Sequence, residues 1–169
     1  MTVAARPLAI VTGARRGIGA AIAVELAAQG FDIALTDVDD AGAEAVLQAV
    51  AVHGGDARLF GFDLADVDGH AATLERILEW AGAIACLGNN AGIGSPARGD
   101  LLEIAPRAFD RVLGVNLRGT FFFTQAVARH MASTACGHAR SIVTVSSVSV
   151  EMASIERGEY CISKSGLAC

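Results

Sequence analysis

The chain has 169 residues, of which 53% are hydrophobic and 18% are charged, so it is long and apolar enough for a folded domain with a core and is not a disordered polymer. Thirteen basic against eighteen acidic residues give a net charge of −5, which argues against nucleic-acid binding because phosphate recognition needs a basic patch. No apolar run approaches the roughly 20 residues that span a bilayer, and residues 1–13 lack the organisation of a signal peptide. We therefore expect a cytoplasmic domain that binds neither nucleic acid nor membrane.

Short apolar runs alternate with longer amphipathic stretches along the whole chain. The pattern predicts five strands, at residues 8–12, 31–36, 57–62, 84–88 and 141–146. It predicts five helices, at residues 17–29, 41–53, 66–80, 106–133 and from 158 or 159 onward, with Asp66 as the N-cap of the third. Such alternation indicates an α/β fold, a Rossmann-type doubly wound parallel sheet in three α/β/α layers.

The cysteines and histidines give no sign of a metal site or a disulfide framework. The four cysteines form no CxxC pair, and the four histidines are well separated. We predict reduced thiols and no bound metal.

A glycine-rich turn joins the first strand to the first helix, in the segment TGARRGIG. Gly13, Gly17 and Gly19 let the backbone turn sharply and approach a pyrophosphate closely. The N-terminus of the helix offers free N–H groups and a positive dipole end to that anion. The segment is therefore predicted to bind a dinucleotide.

Asp37 ends the second strand, eighteen residues after Gly19. A carboxylate there can accept hydrogen bonds from both hydroxyls of an adenosine ribose and would repel a 2′-phosphate. Asp39 and Asp40 are available to cap the second helix, which leaves Asp37 for the ribose. Arg15 and Arg16 argue for the other cofactor, since a guanidinium near the turn can pair with a 2′-phosphate. We predict a preference for NAD(H), with NADP(H) as the alternative.

Two further strand ends fit a dinucleotide site. Asp63 and Leu64 follow the third strand, where a carboxylate can accept from an adenine amino group and the next backbone can line the ring. Asn90, Ala91 and Gly92 follow the fourth strand, where Asn side chains can tie neighbouring strands together and the small residues admit a ribose.

Tyr160 and Lys164 are spaced i, i+4 and so project from one face of the last helix. An ammonium beside a phenol stabilises the phenolate, and a phenol tuned in this way can exchange a proton with an alcohol or carbonyl oxygen. A serine after the fifth strand, either Ser146 or Ser147, can hold that oxygen against Tyr160. The spacing alone does not choose between the two serines.

Asn116 lies inside the long fourth helix, between Gly114 and Gly119. Asn and Gly both weaken a helix, so a kink is predicted there. A kink would free a backbone carbonyl and let a water bridge to Lys164; the alternative is a core Asn bonded to its own backbone.

These motifs resemble those of the short-chain dehydrogenase/reductase family. The segments TGARRGIG, NNAG, VNLRGTFF, VSSVS and YCISK occur in the family's order and spacing, over essentially the whole chain. The chain looks most like bacterial enzymes described as 3-oxoacyl-[acyl-carrier-protein] reductases. The resemblance implies an oxidoreductase that moves a hydride between NAD(H) and a ketone or secondary alcohol. A polyol, sugar or other secondary-alcohol dehydrogenase and an inactive nucleotide-binding fragment are the alternatives.

The resemblance also implies roles for individual residues. Its catalytic tetrad falls on Asn116, Ser147, Tyr160 and Lys164, and the family spacing selects Ser147 over Ser146. Its cofactor-binding positions fall on Gly13, Arg16, Gly17, Ile18, Gly19, Asp37, Asp63, Leu64, Asn90, Ala91 and Gly92. We predict that Arg15, Tyr160 and Lys164 also contact the cofactor.

Family members run to about 250 residues, which makes this chain short for the family. We expect residues 1–169 to form a single NAD(P)-binding domain that stops within the fifth helix, without strands six and seven. The substrate is expected to be a small molecule or an acyl thioester, and the full-length protein a homodimer or homotetramer.

Overall fold

The computed structural model describes residues 6–96 and 98–169, so the first residues of the N-terminal segment interpreted above lie outside it. The strands are β1 (Leu8–Thr12), β2 (Asp32–Asp37), β3 (Ala57–Gly61), β4 (Ile84–Asn89) and β5 (Ser141–Thr144). The helices are α1 (Gly17–Ala28), α2 (Ala43–Ala51), α3 (His70–Ala81), α4 (Pro106–Leu113), α5 (Thr120–Ser133) and α6 (Gly158–Leu167). Short 3₁₀ turns lie at Val67–Gly69, Leu101–Glu103 and Val148–Val150.

The strands form one parallel sheet in the order β3-β2-β1-β4-β5, which confirms the predicted Rossmann-type α/β fold. Strand order reverses between β1 and β4, and ligands of such sheets bind outside the carboxyl ends of the strands at that point.

Two apolar layers cover the two faces of the sheet, because successive strand residues point to opposite sides. Leu8 and Ile10 pack with Phe123 and other residues of α3 and α5. Ala9 and Val11 pack with residues of α1 and α2. The sheet thus forms the middle of the three predicted layers.

Strand β5 forms one edge of the sheet in the described chain. Ile142 and Val143 remain 40% and 57% exposed there. Open strand edges of this kind are prone to pair with other chains.

Three local predictions were wrong. Asp66 makes no side-chain capping bond, and α3 begins only at His70 after a 3₁₀ turn. Neither Asp39 nor Asp40 caps α2, because Gly42 occupies the N-cap position in a left-handed conformation. The fifth strand ends at Thr144 rather than at residue 146.

The predicted kink in the long helix exists as a π-helical turn, Gly114–Gly119, that joins α4 to α5. Such turns insert an extra residue into a helix and often occur at functional sites. Gly119 in this turn packs directly on the carbonyl of Leu64, where a Cβ atom would overlap with the oxygen. The same carbonyl lies 2.9 Å from Nε2 of the buried His70. The π turn and α3 therefore both fix the loop after β3.

The Gly119→Ala variant is expected to lower the free energy of unfolding by about 1–3 kcal/mol, because its methyl group overlaps with backbone that cannot easily move. Urea unfolding followed by circular dichroism measures this change. Gly114→Ala is the matched control in the same turn, since a Cβ there meets no atom within 4 Å, and alanine should leave the stability unchanged or raise it by up to about 1 kcal/mol. Equal stabilities of the two variants would contradict the packing argument.

Candidate active site

One large cleft of about 780 Å³ opens at the carboxyl ends of the strands. All fourteen residues predicted to bind a cofactor line it: Gly13, Arg15, Arg16, Gly17, Ile18, Gly19, Asp37, Asp63, Leu64, Asn90, Ala91, Gly92, Tyr160 and Lys164. The structure therefore brings together residues from five separate chain segments that the sequence analysis had grouped.

The glycine turn after β1 is compact enough to leave its backbone facing the cleft. Gly13 has a positive φ of +64°, and its N–H donates to the Thr36 carbonyl over 2.8 Å. A Cβ on Gly13 would lie 2.8 Å from the Ala91 Cα, and one on Gly19 would lie 2.5 Å from Asn90 Nδ2. Side chains at these two positions would push the turn away from the end of β4.

The turn is tied to β4 by Thr12 and Asn90. The Thr12 hydroxyl oxygen accepts from the N–H groups of Asn90 and Ala91, both over 3.0 Å. The Asn90 side-chain amide donates to the carbonyls of Thr12 and Gly13, also over 3.0 Å. This reciprocal pairing across the strand-order reversal confirms the expectation that Asn side chains join neighbouring strands here.

Asp37 is not free at the end of β2, because Arg15 lies against it. Arg15 donates to Asp37 from its backbone N–H (3.3 Å) and from Nε (3.4 Å). The guanidinium also lies 3.3 Å from an Asp39 carboxylate oxygen and donates to the Ala41 carbonyl. A hydrogen bond from the Ala41 N–H, followed by the charge of Arg15, lowers the pKa of Asp39 below its ordinary value. Arg15 thus bridges two carboxylates at the rim of the cleft.

Asn116 is completely buried in the π turn. Its side-chain oxygen accepts from the Ile93 N–H (2.8 Å), and its amide donates to the Ile93 carbonyl (2.9 Å) and to the Ser163 hydroxyl (3.0 Å). The alternative of an Asn bonded to its own backbone is wrong. Asn116 instead holds three segments together: the loop after β4, the π turn and α6.

Tyr160 and Lys164 lie on the same face of α6 and both line the cleft. The Lys164 Nζ lies 5.9 Å from the centroid of the Tyr160 ring and donates to the Val145 carbonyl over 3.0 Å. Lys164 is only 4% exposed, and no carboxylate of the described residues pairs with it. Burial therefore lowers the pKa of Lys164 from its ordinary value.

The two candidate serines differ in their surroundings. Ser146 lines the cleft, whereas Ser147 does not. The Ser147 oxygen accepts from the Ser149 N–H over 3.1 Å at the start of a 3₁₀ turn, and its own proton is available to donate. Asn116 likewise lies behind the cleft wall and not in it.

Several lining residues were missed by the sequence analysis, among them Val38, Val115 and Arg157. Val38 and Val115 directly follow or precede predicted site residues. Arg157 lies three positions before Tyr160, at the start of the same helix, and that spacing could have indicated it.

The described residues contain neither a helix suited to span a membrane nor a cluster of side chains suited to bind a metal ion. No helix within residues 6–96 and 98–169 has the length and apolar character needed to cross a membrane. In the same ranges, no group of three or more His, Cys, Asp or Glu side chains could hold a metal ion. The four cysteines are free thiols.

The sheet, its strand-order reversal and the cleft at that point are those of Rossmann-type α/β proteins. Residues 7–169 match the family described as short chain dehydrogenase, and the chain belongs to that family.

Two curated relatives are named for a sugar and a polyol. The chain is 36% identical over 162 residues to L-rhamnose 1-dehydrogenase (NAD(P)(+)) of Azotobacter vinelandii, covering 94% of this chain and 62% of that protein. It is also 36% identical over 160 residues to D-threitol dehydrogenase of Mycolicibacterium smegmatis, covering 95% and 60%.

A solved structure is more similar in sequence. The 3-oxoacyl-[acyl-carrier protein] reductase from Brucella melitensis, in complex with NAD, is 51% identical and superposes with a TM-score of 0.93. The match covers 98% of this chain and 65% of that chain. The chain thus spans about 60% of the length of the curated relatives that it matches.

Proposed function

We propose that the protein is an NAD(H)-dependent oxidoreductase that moves a hydride between the cofactor and a ketone or secondary alcohol. The observation that carries this proposal is the position of Tyr160 and Lys164 in the same cleft as the glycine turn after β1. A proton donor and a dinucleotide-binding turn share one cavity, which is what coupled hydride and proton transfer requires.

The lining residues fit the parts of a dinucleotide. The N-terminus of α1 suits the pyrophosphate, because its N–H groups and dipole favour an anion. Asp37 suits the adenosine ribose, and Asp63 with Leu64 suits the adenine. Asn90, Ala91 and Gly92 suit the nicotinamide half. The nicotinamide supplies the hydride chemistry when bound.

The residues of α6 would move the proton. Tyr160 would protonate the carbonyl oxygen during reduction and accept the proton during oxidation. Lys164, as an ammonium, would bind the nicotinamide ribose and stabilise the phenolate. Ser147 would hold the substrate oxygen, and the π turn at Asn116 would leave a backbone carbonyl to bind the water of a proton relay.

The cofactor preference rests on Asp37, whose carboxylate lies at the end of β2 and would repel a 2′-phosphate. Arg15 partly offsets this charge, since it bridges Asp37 and Asp39. We infer a preference for NAD(H) with some tolerance of NADP(H).

Two substrate classes have support. The similarity to a 3-oxoacyl-[acyl-carrier protein] reductase favours a 3-oxoacyl thioester, and the sugar and polyol dehydrogenases support a secondary alcohol. A nucleotide-binding protein without turnover is the alternative. We infer a cytoplasmic protein from the free thiols, and we infer that it assembles as a homodimer or homotetramer.

Tyr160→Phe is expected to lower turnover by roughly 10²–10⁴-fold, because the variant lacks the proton that the reaction needs. Binding of NADH should stay within a few fold of wild type, since only the hydroxyl is lost. Steady-state assays and calorimetric titration with NADH measure the two quantities. Turnover comparable to wild type would rule out Tyr160 as the acid and base.

Ser147→Ala is expected to lower turnover by roughly 100-fold through loss of a hydrogen bond to the substrate oxygen. Ser146→Ala is the matched control, because Ser146 is its chain neighbour and lines the cleft, and it should retain turnover within a few fold. The reverse result in a steady-state assay would assign the role to Ser146.

Asp37→Asn is expected to weaken NADH binding roughly tenfold and to reduce the preference for NADH over NADPH, because the hydrogen bonds to the ribose lose their charge. Asp39→Asn is the control, since Asp39 also contacts Arg15 but does not line the cleft. Calorimetric titrations with both cofactors give the ratio of affinities. An unchanged ratio in Asp37→Asn would show that this carboxylate does not discriminate.

A further inference from the structure

The cleft is basic although the whole chain is acidic. Six of the eight charged residues that line it are Arg or Lys, in a chain whose net charge is −5. A concentration of positive charge in one cavity attracts anions. A bound dinucleotide would pair with some of these cations. The position of each one shows whether it is available to a substrate as well.

Ion pairs account for the cations on the adenosine side. Arg15 pairs with Asp37, and Arg111 lies 3.8 Å from Asp63. Arg16 directly precedes α1, where the pyrophosphate is placed. Lys164 donates to Val145 and is placed at the nicotinamide ribose. None of these four cations is left over for a substrate.

Two cations remain: Arg98, which is exposed, and Arg157, which is half-buried and lies beside Tyr160. The Arg157 guanidinium carbon lies 5.8 Å from the centroid of the Tyr160 ring. Within the described residues it makes neither an ion pair nor a side-chain hydrogen bond. Its five N–H donors are therefore available to a ligand that contacts Tyr160.

The neighbouring acids do not neutralise Arg157. Glu159 is buried and lines a separate cavity together with Asp110. Glu156 is exposed and lines neither cavity. The backbone of Arg157 is fixed, since its carbonyl accepts from the Cys161 N–H at the first turn of α6. A cation held beside Tyr160 without a carboxylate is suited to a bound anion.

We propose that the substrate is a short oxo or hydroxy acid and that Arg157 binds its carboxylate. This inference rests on the proposed function. A planar guanidinium can hold a carboxylate through two parallel hydrogen bonds. Since Arg157 lies over the Tyr160 ring, the carboxylate and the reacting carbon should be separated by roughly two to four bonds.

The reduction of the ketone needs only a hydride from the cofactor and a proton from Tyr160, and no further reactant. In reduction, the ketone carbon gains the hydride and its oxygen gains the Tyr160 proton, while the reduced nicotinamide is oxidised. The carboxylate stays unchanged and serves to orient the ketone. In an acyl thioester whose only negative charge is a phosphate far from the ketone, that phosphate would not reach Arg157 while the ketone contacts Tyr160.

The test compares 3-oxobutanoate with its methyl ester, which has the same ketone but no charge. For the wild type, KM for the acid should be at least tenfold lower than KM for the ester. In Arg157→Gln, KM for the acid should rise roughly 10–100-fold, as loss of a charge-assisted pair predicts, and kinetics with the ester should stay within a few fold. Arg157→Lys should recover part of the loss.

Arg129→Gln is the matched control, because Arg129 is exposed on α5 and does not line the cleft. It removes the same charge and should change neither KM. Equal losses for acid and ester in Arg157→Gln would show a structural role and overturn the proposal.

A binding measurement separates failure of this inference from failure of the proposed function. Calorimetry first titrates the protein with NAD⁺ and then titrates the loaded protein with 3-oxobutanoate. Tighter binding of the acid than of the ester, lost in Arg157→Gln, supports the inference. Binding of NAD⁺ without that preference overturns the inference and leaves the proposed function in place. Absence of NAD⁺ binding contradicts the proposed function, and the inference with it.

Discussion

The buried side chain of Asn116 is the interaction on which the site depends. Its amide satisfies both backbone groups of Ile93 and the hydroxyl of Ser163, so the loop after β4, the π turn and α6 share one hydrogen-bonding centre. A buried amide left without its partners is costly, and each of these segments would therefore lose stability if another moved. The position of Tyr160 and Lys164 over the cleft follows from this constraint, because Ser163 lies between them on α6.

A second set of hydrogen bonds joins the glycine turn to the end of β4, on the side of the cleft away from Asn116. Thr12 and Asn90 exchange hydrogen bonds across the point where strand order reverses, and this holds the glycine turn against the end of β4. The two sets of hydrogen bonds lie on either side of the short segment 90–93. A cofactor placed between them would meet backbone that is already ordered, so little conformational entropy would be lost on binding.

Much of the fold and of the cleft lining could be predicted from the sequence, because both follow from regular periods. The strands are rich in apolar residues, and the strand ends in a parallel sheet converge on one edge, so residues as distant as Gly13 and Asn90 could be grouped. The place of Lys164 at the same site was implied by the family resemblance. Helix boundaries were less predictable. Asp66 has the residue type of an N-cap, but the preceding 3₁₀ turn moves the start of α3 to His70. The pairing of Arg15 with Asp37 and the place of Arg157 over Tyr160 depend on side-chain direction, which spacing alone does not give.

The pairing of β1 with β4 also has a kinetic consequence. Thr12 and Gly88, joined across these strands, are 76 residues apart in the chain. A contact of this range requires closure of a long loop before it contributes any energy, and such topologies fold slowly. The local pairs of β1 with β2 and of β2 with β3 can form earlier. The wall of the cleft at the end of β4 therefore carries a larger loop-closure cost than the glycine turn, and we expect it to form after the pairs β1–β2 and β2–β3.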